Sequence, residues 1–82
     1  MVSAEFEDNF KKLFSKIKDP VLKEKIIKQV SKLKENPHIG KPMKYTRKGT
    51  YELYIAPFRL SYIYVKEEEK IIIIDLYHKD EQ

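Results

Sequence analysis

The fold is decided between residues 51 and 77, which read YELYIAPFRLSYIYVKEEEKIIIIDLY. Up to Pro57 the side chains alternate between apolar and polar with a period of two, which is typical of a β-strand with one covered face. Pro57 ends that strand because it has no backbone N–H, and a second strand is predicted over 58–65. The charged segment 66–70 predicts a turn into a third strand, 71–77, which is apolar on both faces and is therefore central or covered on both sides.

Two amphipathic helices are predicted upstream of these strands. Apolar side chains recur at helical spacing over about residues 6–18, with lysines between them. Asp19 can then cap the free amides of a second helix, and Pro20 suits the first helical position because its missing N–H costs nothing there. This helix ends at Asn36, because the residue before Pro37 is pushed out of the α-region. Its predicted apolar stripe consists of Leu22, Ile26, Ile27, Val30 and Leu33.

The order of these elements predicts an α+β fold, in which an N-terminal helical hairpin packs on an antiparallel β-sheet meander. Residues 2–5 are predicted as a short edge strand. Another short strand is predicted near 43–45, with a turn at 47–50 that leads into the strand of Tyr51. The chain has 82 residues, which is below the common domain size of about 100–150 residues, so a single domain over 1–82 is expected.

Composition and motifs exclude several classes of function. The sequence contains no cysteine, which removes disulfide frameworks and thiolate zinc sites. The longest apolar run, 71–74, is far shorter than the ~18 residues that suggest a membrane span, and residues 1–14 lack the apolar segment of a signal peptide. We therefore expect a cytoplasmic protein with no membrane partner. The usual motifs of nucleotide, metalloprotease and serine hydrolase chemistry are absent, and no cofactor or metal is expected.

Positive charge is concentrated in the middle of the chain. The formal net charge is +4, and residues 36–64 alone carry five basic side chains and one acidic one. Aromatic side chains lie between these charges, and this combination favours a phosphate backbone and exposed bases. Lysines that solvate a surface and aromatic residues that fill a core would give the same composition. The charge pattern by itself leaves both interpretations open.

A small set of polar residues on the predicted strands could support chemistry. Arg59 lies inside an otherwise apolar strand, where it must face solvent or receive an anion, because an unpaired buried guanidinium is costly. Glu52 and Tyr54 share one face of the sheet, and Glu52 could pair with Arg59 and merely stabilise the sheet. His78 and Lys79 end the last strand, where a histidine can exchange protons near neutral pH and a lysine can neutralise a phosphate.

Four segments that follow the two lysine-rich helices resemble the RelE/ParE superfamily of toxins from toxin–antitoxin systems. They are GKPMK at 40–44, GTYELYI at 49–55, FRLSY at 58–62 and YHKD at 77–80. Each segment is short, but the four occur in the order and at the spacing typical of the family. Together with the two helices, the resemblance covers nearly the whole chain. The resemblance implies a RelE-like fold.

The resemblance also implies an activity. Members similar to RelE and YoeB are metal-independent endoribonucleases that cleave messenger RNA, commonly in the ribosomal A site. A ribose 2′-hydroxyl attacks the adjacent phosphate and leaves a 2′,3′-cyclic phosphate. By resemblance, Arg59 stabilises the phosphate, and His78 acts as acid or base with Lys79 beside it. Glu52 has no counterpart in this pattern, but beside Arg59 it could serve as base. The expected RNA-binding residues are Lys44, Arg47, Lys48, Tyr54 and Tyr77.

Two departures from the family pattern keep other functions open. Glu52 and Tyr54 stand where many active members have lysine or arginine, and the sequence lacks the closing tyrosine that often follows the last strand. One alternative is a ParE-like poison of a type II topoisomerase, which is not an enzyme. Another is a RelE relative with reduced or lost nuclease activity. Under each interpretation a RelB-like antitoxin is the expected partner, laid over the basic sheet face and the helices.

Overall fold

The computed structural model describes residues 2–42 and 49–78. Within them lie β1 (Ser3–Phe6), α1 (Asp8–Lys16), α2 (Pro20–Glu35), β2 (Lys41–Pro42), β3 (Thr50–Ile55), β4 (Phe58–Val65) and β5 (Lys70–His78). The strands form one sheet in the order β1-β5-β4-β3-β2. The predicted α+β fold, a helical hairpin followed by a meander, is confirmed.

Helix boundaries follow the predicted signals. The side chain of Asp19 accepts a hydrogen bond of 3.0 Å from the backbone N–H of Val21, and Pro20 is the first residue of α2. At the other end, the N–H of Asn36 donates to the carbonyl of Lys32 at 2.8 Å. α1 is shorter than predicted. Neither described helix is long and apolar enough to cross a membrane.

The core lies between the helices and one face of the sheet. α1 contributes Phe10, and α2 contributes three residues of its predicted stripe, Ile26, Val30 and Leu33. The prediction that Ile27 belongs to this stripe is wrong, because its side chain is 56% exposed. Successive positions of an α-helix are rotated by about 100° around its axis. Ile26 and Ile27 therefore lie at different places on the apolar side of α2, and only Ile26 reaches the sheet.

The sheet is mixed. β2 to β5 pair antiparallel with their neighbours, as predicted. β1 is an edge strand, also as predicted, but it pairs parallel to β5, with Ser3 opposite Lys70. Parallel neighbours need a long connection, and here both helices and the meander supply it. The predicted strand near 43–45 lies outside the described residues, and β2 ends at Pro42.

The two faces of the sheet have different roles. Side chains at alternate positions of β4 point to opposite faces, so Leu60 and Tyr62 pack in the core while Arg59 and Ser61 point to the other face. We call the second one the open face, since no helix of the described residues packs on it.

Tyr62 ties the loop after α2 to the sheet. Its buried hydroxyl donates to the carbonyl of Pro37 at 2.7 Å and accepts from the N–H of Gly40 at 3.0 Å. A Cβ on Gly40 would stand 2.5 Å from the Tyr62 hydroxyl and 3.0 Å from the backbone oxygen of Glu52. Glycine is therefore required by this close approach. Burial raises the pKa of Tyr62 above its ordinary value.

The charged turn between β4 and β5 is a 3-10 turn over Lys66–Glu68 followed by Glu69, whose φ of 50° is left-handed. Lys70 then joins the turn to β1, because its ammonium group contacts Glu5 at 3.2 Å and Glu68 at 3.3 Å. These hydrogen bonds raise the pKa of Lys70.

Candidate active site

Three polar side chains meet on the open face. A guanidinium nitrogen of Arg59, Nη1, donates to Glu52 Oε1 at 2.6 Å, and the hydroxyl of Tyr77 donates to Glu52 Oε2 at 2.5 Å. The predicted pairing of Glu52 with Arg59 across the strands is confirmed. We call Glu52, Arg59 and Tyr77 the polar triad.

The register of the central strands explains this meeting. Arg59 of β4 stands opposite Tyr54 of β3 and Tyr77 of β5, so these three form one row. Glu52 stands opposite Ser61, which is two residues further along β4, and it reaches Arg59 diagonally. Diagonal neighbours on a sheet lie within reach of long side chains.

The polar triad is partly accessible. The side chain of Arg59 is 34% exposed and that of Glu52 is 17% exposed, while Tyr54 beside them is 54% exposed. A carboxylate can take a proton, a guanidinium can hold phosphate oxygens, and a phenol can donate a proton or a hydrogen bond. The polar triad therefore brings together a base (Glu52), a cation (Arg59) and a proton donor (Tyr77).

His78 lies on the opposite face from Arg59. Tyr62 stands opposite Ile73, but Ser61 stands opposite Asp75, so one extra residue, Ile74, bulges from β5. The bulge shifts the alternation by one residue. As a result Tyr77 shares the open face with Arg59, whereas His78 shares the face of Phe58.

The rings of His78 and Phe58 pack in a T-shaped arrangement, with 5.8 Å between the ring centroids. The sequence predicted that His78 and Arg59 serve one site, and the register does not bring them together. Four other predicted site residues lie outside the described residues: Lys44, Arg47, Lys48 and Lys79.

Ser61 lies opposite Glu52 on the same face as Arg59, and the sequence patterns did not single it out. It is fully buried on β4, and within residues 2–42 and 49–78 neither its hydroxyl nor Arg59 Nε has a hydrogen-bond partner. The available signal was a serine two positions after Arg59 in an apolar strand, because that spacing puts both side chains on one face.

An apolar groove lies on the other side of the molecule, between α1 and α2. Its volume is about 450 Å³. Phe6, Phe10 and Phe14 stack along one wall, with ring centroids 5.5 and 5.7 Å apart. The opposite wall is formed by α2, including the exposed Ile27, and the groove is also lined by the lysines Lys11 and Lys34.

The chain is similar in structure to several solved toxins of toxin–antitoxin systems. The chain is similar to the toxin of the Escherichia coli RelBE toxin–antitoxin complex, with a TM-score of 0.82, 18% identity, and coverage of 95% of this chain and 96% of that one. It is also similar to a chain of the RelBE2 toxin–antitoxin complex from Mycobacterium tuberculosis, with a TM-score of 0.85, 20% identity, and coverage of 95% of this chain and 98% of that one. A chain of the archaeal RelE–RelB complex from Pyrococcus horikoshii matches with a TM-score of 0.81, 13% identity, and coverage of 99% of this chain and 98% of that one. At these identities the similarity establishes the RelE-like fold.

The family follows from the sequence itself. The family model described as the ParE toxin of the type II toxin–antitoxin system, parDE, matches residues 1–82. The chain belongs to this family and is a toxin of a type II toxin–antitoxin system. Comparison with curated proteins finds no significant match.

Proposed function

We propose that this toxin is a ribosome-dependent endoribonuclease that cleaves messenger RNA. The observation that carries the proposal is the polar triad, in which one carboxylate lies between a guanidinium and a phenol on the open face. Cleavage of RNA by its own 2′-hydroxyl needs a base for that hydroxyl, a cation for the charge on phosphorus, and an acid for the leaving oxygen. The triad offers one side chain for each task.

In the proposed reaction Glu52 removes the proton from the 2′-hydroxyl. The 2′-oxygen then forms a bond to the adjacent phosphorus, and Arg59 balances the negative charge on the non-bridging oxygens. The bond between phosphorus and the 5′-oxygen breaks, and that oxygen takes a proton from the Tyr77 hydroxyl. The products are a 2′,3′-cyclic phosphate and a 5′-hydroxyl. Holding the reactants in line lowers the barrier further.

Tyr54 extends the site beyond the reacting atoms. It is the most exposed aromatic side chain of the described strands and stands directly opposite Arg59. We propose that a base flanking the scissile phosphate stacks on its ring. Lys44, Arg47, Lys48 and Lys79 are proposed to hold neighbouring phosphates of messenger RNA on the ribosome in the cytoplasm.

A cognate antitoxin is the second proposed partner. Two observations support an antitoxin partner. One is the apolar groove between α1 and α2, and the other is that structures of similar toxins have been solved as complexes with their antitoxins. An amphipathic helix with apolar residues on one side and acidic residues at its margins would match the phenylalanine wall and the lysines Lys11 and Lys34. We propose that the toxin domain spans residues 1–82.

A ParE-like toxin that binds a topoisomerase without cleaving RNA is the second candidate function. The observation that favours it is that Glu52 already neutralises Arg59, the only basic group that the described residues contribute to the triad. His78, moreover, lies on the other face of the sheet. A protein-binding toxin needs neither a free cation nor a proton donor.

A translation reaction with purified ribosomes and a defined messenger RNA separates the two candidates. The toxin is compared with Arg59→Ala and with Lys28→Ala, a control on the exposed side of α2, and the cut positions and end groups are mapped. Cuts with cyclic phosphate ends that need the ribosome and disappear with Arg59→Ala support the nuclease. If the folded toxin cuts nothing while it inhibits a type II topoisomerase, the nuclease proposal is wrong.

A further inference from the structure

We propose that Ser61 is a phosphate-binding residue, and that its hydroxyl and Arg59 Nε together receive non-bridging oxygens of the scissile phosphate. This inference rests on the proposed function and deepens it, because it defines how the site holds a phosphodiester.

Ser61 is buried without a partner although its neighbours are polar. Its relative exposure is 0%, and its two neighbours across the sheet are Glu52 and Asp75. The oxygens of Glu52 are engaged by Arg59 and Tyr77, and Asp75 Oδ1 accepts from Asn9 at 3.0 Å and from the Leu76 N–H at 2.8 Å. No atom of the described residues accepts a hydrogen bond from the Ser61 hydroxyl.

An alanine would fill the same space without leaving a buried hydroxyl unsatisfied. An unsatisfied buried polar group costs free energy, so its presence in a native structure calls for an explanation. Packing does not explain the hydroxyl of Ser61, because serine and alanine have similar volumes. A ligand that accepts the hydrogen bond does explain it.

Arg59 Nε is the second donor without a partner in the described part of the chain. Arg59 and Ser61 are two residues apart on β4 and point to the same face, so their backbone positions are separated by about 6.5–7 Å. A tetrahedral phosphate accepts hydrogen bonds on oxygens that point in different directions, and it can therefore bridge two donors at this spacing. Backbone amide groups are not needed for this contact.

Glu52 must move for the phosphate to enter. Its carboxylate now occupies Nη1 of Arg59 and stands beside Ser61. A phosphodiester that takes its place at the guanidinium gives Arg59 a new anionic partner, so the charge of Arg59 stays balanced. Glu52 is then released toward the 2′-hydroxyl of the same nucleotide, where the proposed reaction needs a base.

The test measures phosphodiester binding without cleavage. Dimethyl phosphate is titrated into the full chain, and the NMR signal of Arg59 Nε–H is followed in the wild type, in Ser61→Ala and in Ser3→Ala, a control on the exposed position of β1. We expect the affinity of Ser61→Ala to fall about tenfold, which is the loss of one hydrogen bond to a charged group. Ser3→Ala should bind as the wild type does.

Thermal unfolding of the same variants tests whether Ser61→Ala binds the phosphodiester more weakly only because the variant is less stable. Because Ser61→Ala deletes an unsatisfied hydroxyl, we expect its unfolding midpoint to rise by about 4–8 °C. A variant that is more stable yet binds the phosphodiester more weakly supports the proposal. Unchanged affinity in Ser61→Ala overturns it, and so does a wild type whose Arg59 Nε–H signal does not respond.

The failure of the proposed function has a different signature. If the ribosome assay shows no cleavage but dimethyl phosphate still binds in a Ser61-dependent manner, the nuclease is wrong and the phosphate site stands. If cleavage depends on Arg59 and is equal in Ser61→Ala and the wild type, the nuclease stands and the role of Ser61 is wrong.

Discussion

Replacing Glu52 with glutamine tests the centre of the polar triad. Glutamine keeps the shape of the side chain and one oxygen that can accept from Tyr77, but it removes the charge and the basic oxygen. If Glu52 is the base, the rate of ribosome-dependent cleavage should fall by about 10²–10⁴-fold. A cleavage rate within twofold of the wild type would refute the assignment of Glu52 as base.

The same substitution should raise the affinity for RNA while it lowers the rate. Glu52 is a negative charge beside the proposed phosphate, and removing a like charge at about 4 Å in a solvated site is worth about 1 kcal/mol, or about fivefold in affinity. Binding is measured with an oligonucleotide that carries a 2′-deoxy sugar at the cleavage position. Weaker binding by Glu52→Gln would contradict the claim that the carboxylate competes with phosphate.

The stability of Glu52→Gln separates these effects from misfolding. The ion pair with Arg59 is partly exposed, so its loss should cost about 1–2 kcal/mol, between the values of surface pairs and buried pairs. Denaturant unfolding measures this cost, and Glu67→Gln in the exposed turn is the matched control. A loss above about 4 kcal/mol would mean that Glu52 is chiefly structural.

Four further variants probe the neighbourhood. Tyr77→Phe removes the hydroxyl that donates to Glu52, and we expect cleavage to slow by about 10²-fold or more, with the defect reduced when the leaving group is activated as a 5′-thiolate; equal defects for both leaving groups would exclude Tyr77 as the acid. His78→Ala should leave the pH profile of cleavage unchanged because His78 lies on the face of Phe58, and a flattened profile would place it in the mechanism after all. Tyr62→Phe should lose about 1–2 kcal/mol at neutral pH through the contacts with Gly40 and the preceding loop. Since burial raises the pKa of Tyr62 in the folded state, the wild type should also lose stability as pH rises past about 10, where the unfolded tyrosine ionises first, and unfolding curves of Tyr62→Phe should lack that part of the decline. Gly40→Ala should cost about 1–3 kcal/mol, because its Cβ overlaps the Tyr62 ring, and an unfolding midpoint equal to that of the wild type would show that the loop yields freely.

The sequence predicted those parts of the fold that depend on nearby residues. β4 was predicted with its observed bounds, and the Asp19 cap with Pro20 placed the start of α2 correctly. Each of these signals is local: a period of two, a turn, or a capping side chain beside a proline. The pairing of Glu52 with Arg59 was also within reach, because a short turn fixes the register of two strands.

The face of His78 could not be predicted, because it depends on the bulge at Ile74. The run Ile71–Ile74 is apolar at every position, so nothing in it marks where the alternation shifts by one residue. Without the bulge, Tyr77 would face the helices and His78 would join Arg59. The parallel pairing of β1 escaped prediction for a related reason, since it joins segments that are far apart in the chain.

The pairing of β1 with β5 also determines at what stage of folding the sheet is completed. β5 follows the other strands of the described chain, yet it lies between β1 and β4 and supplies Tyr77 to the polar triad. A nascent chain that lacks β5 has neither a continuous sheet nor a complete site, and contacts of such large sequence separation form late in folding. The sheet and the polar triad are therefore completed in the same step, and if the triad cleaves RNA as proposed, activity appears only once β5 has paired with both of its neighbours.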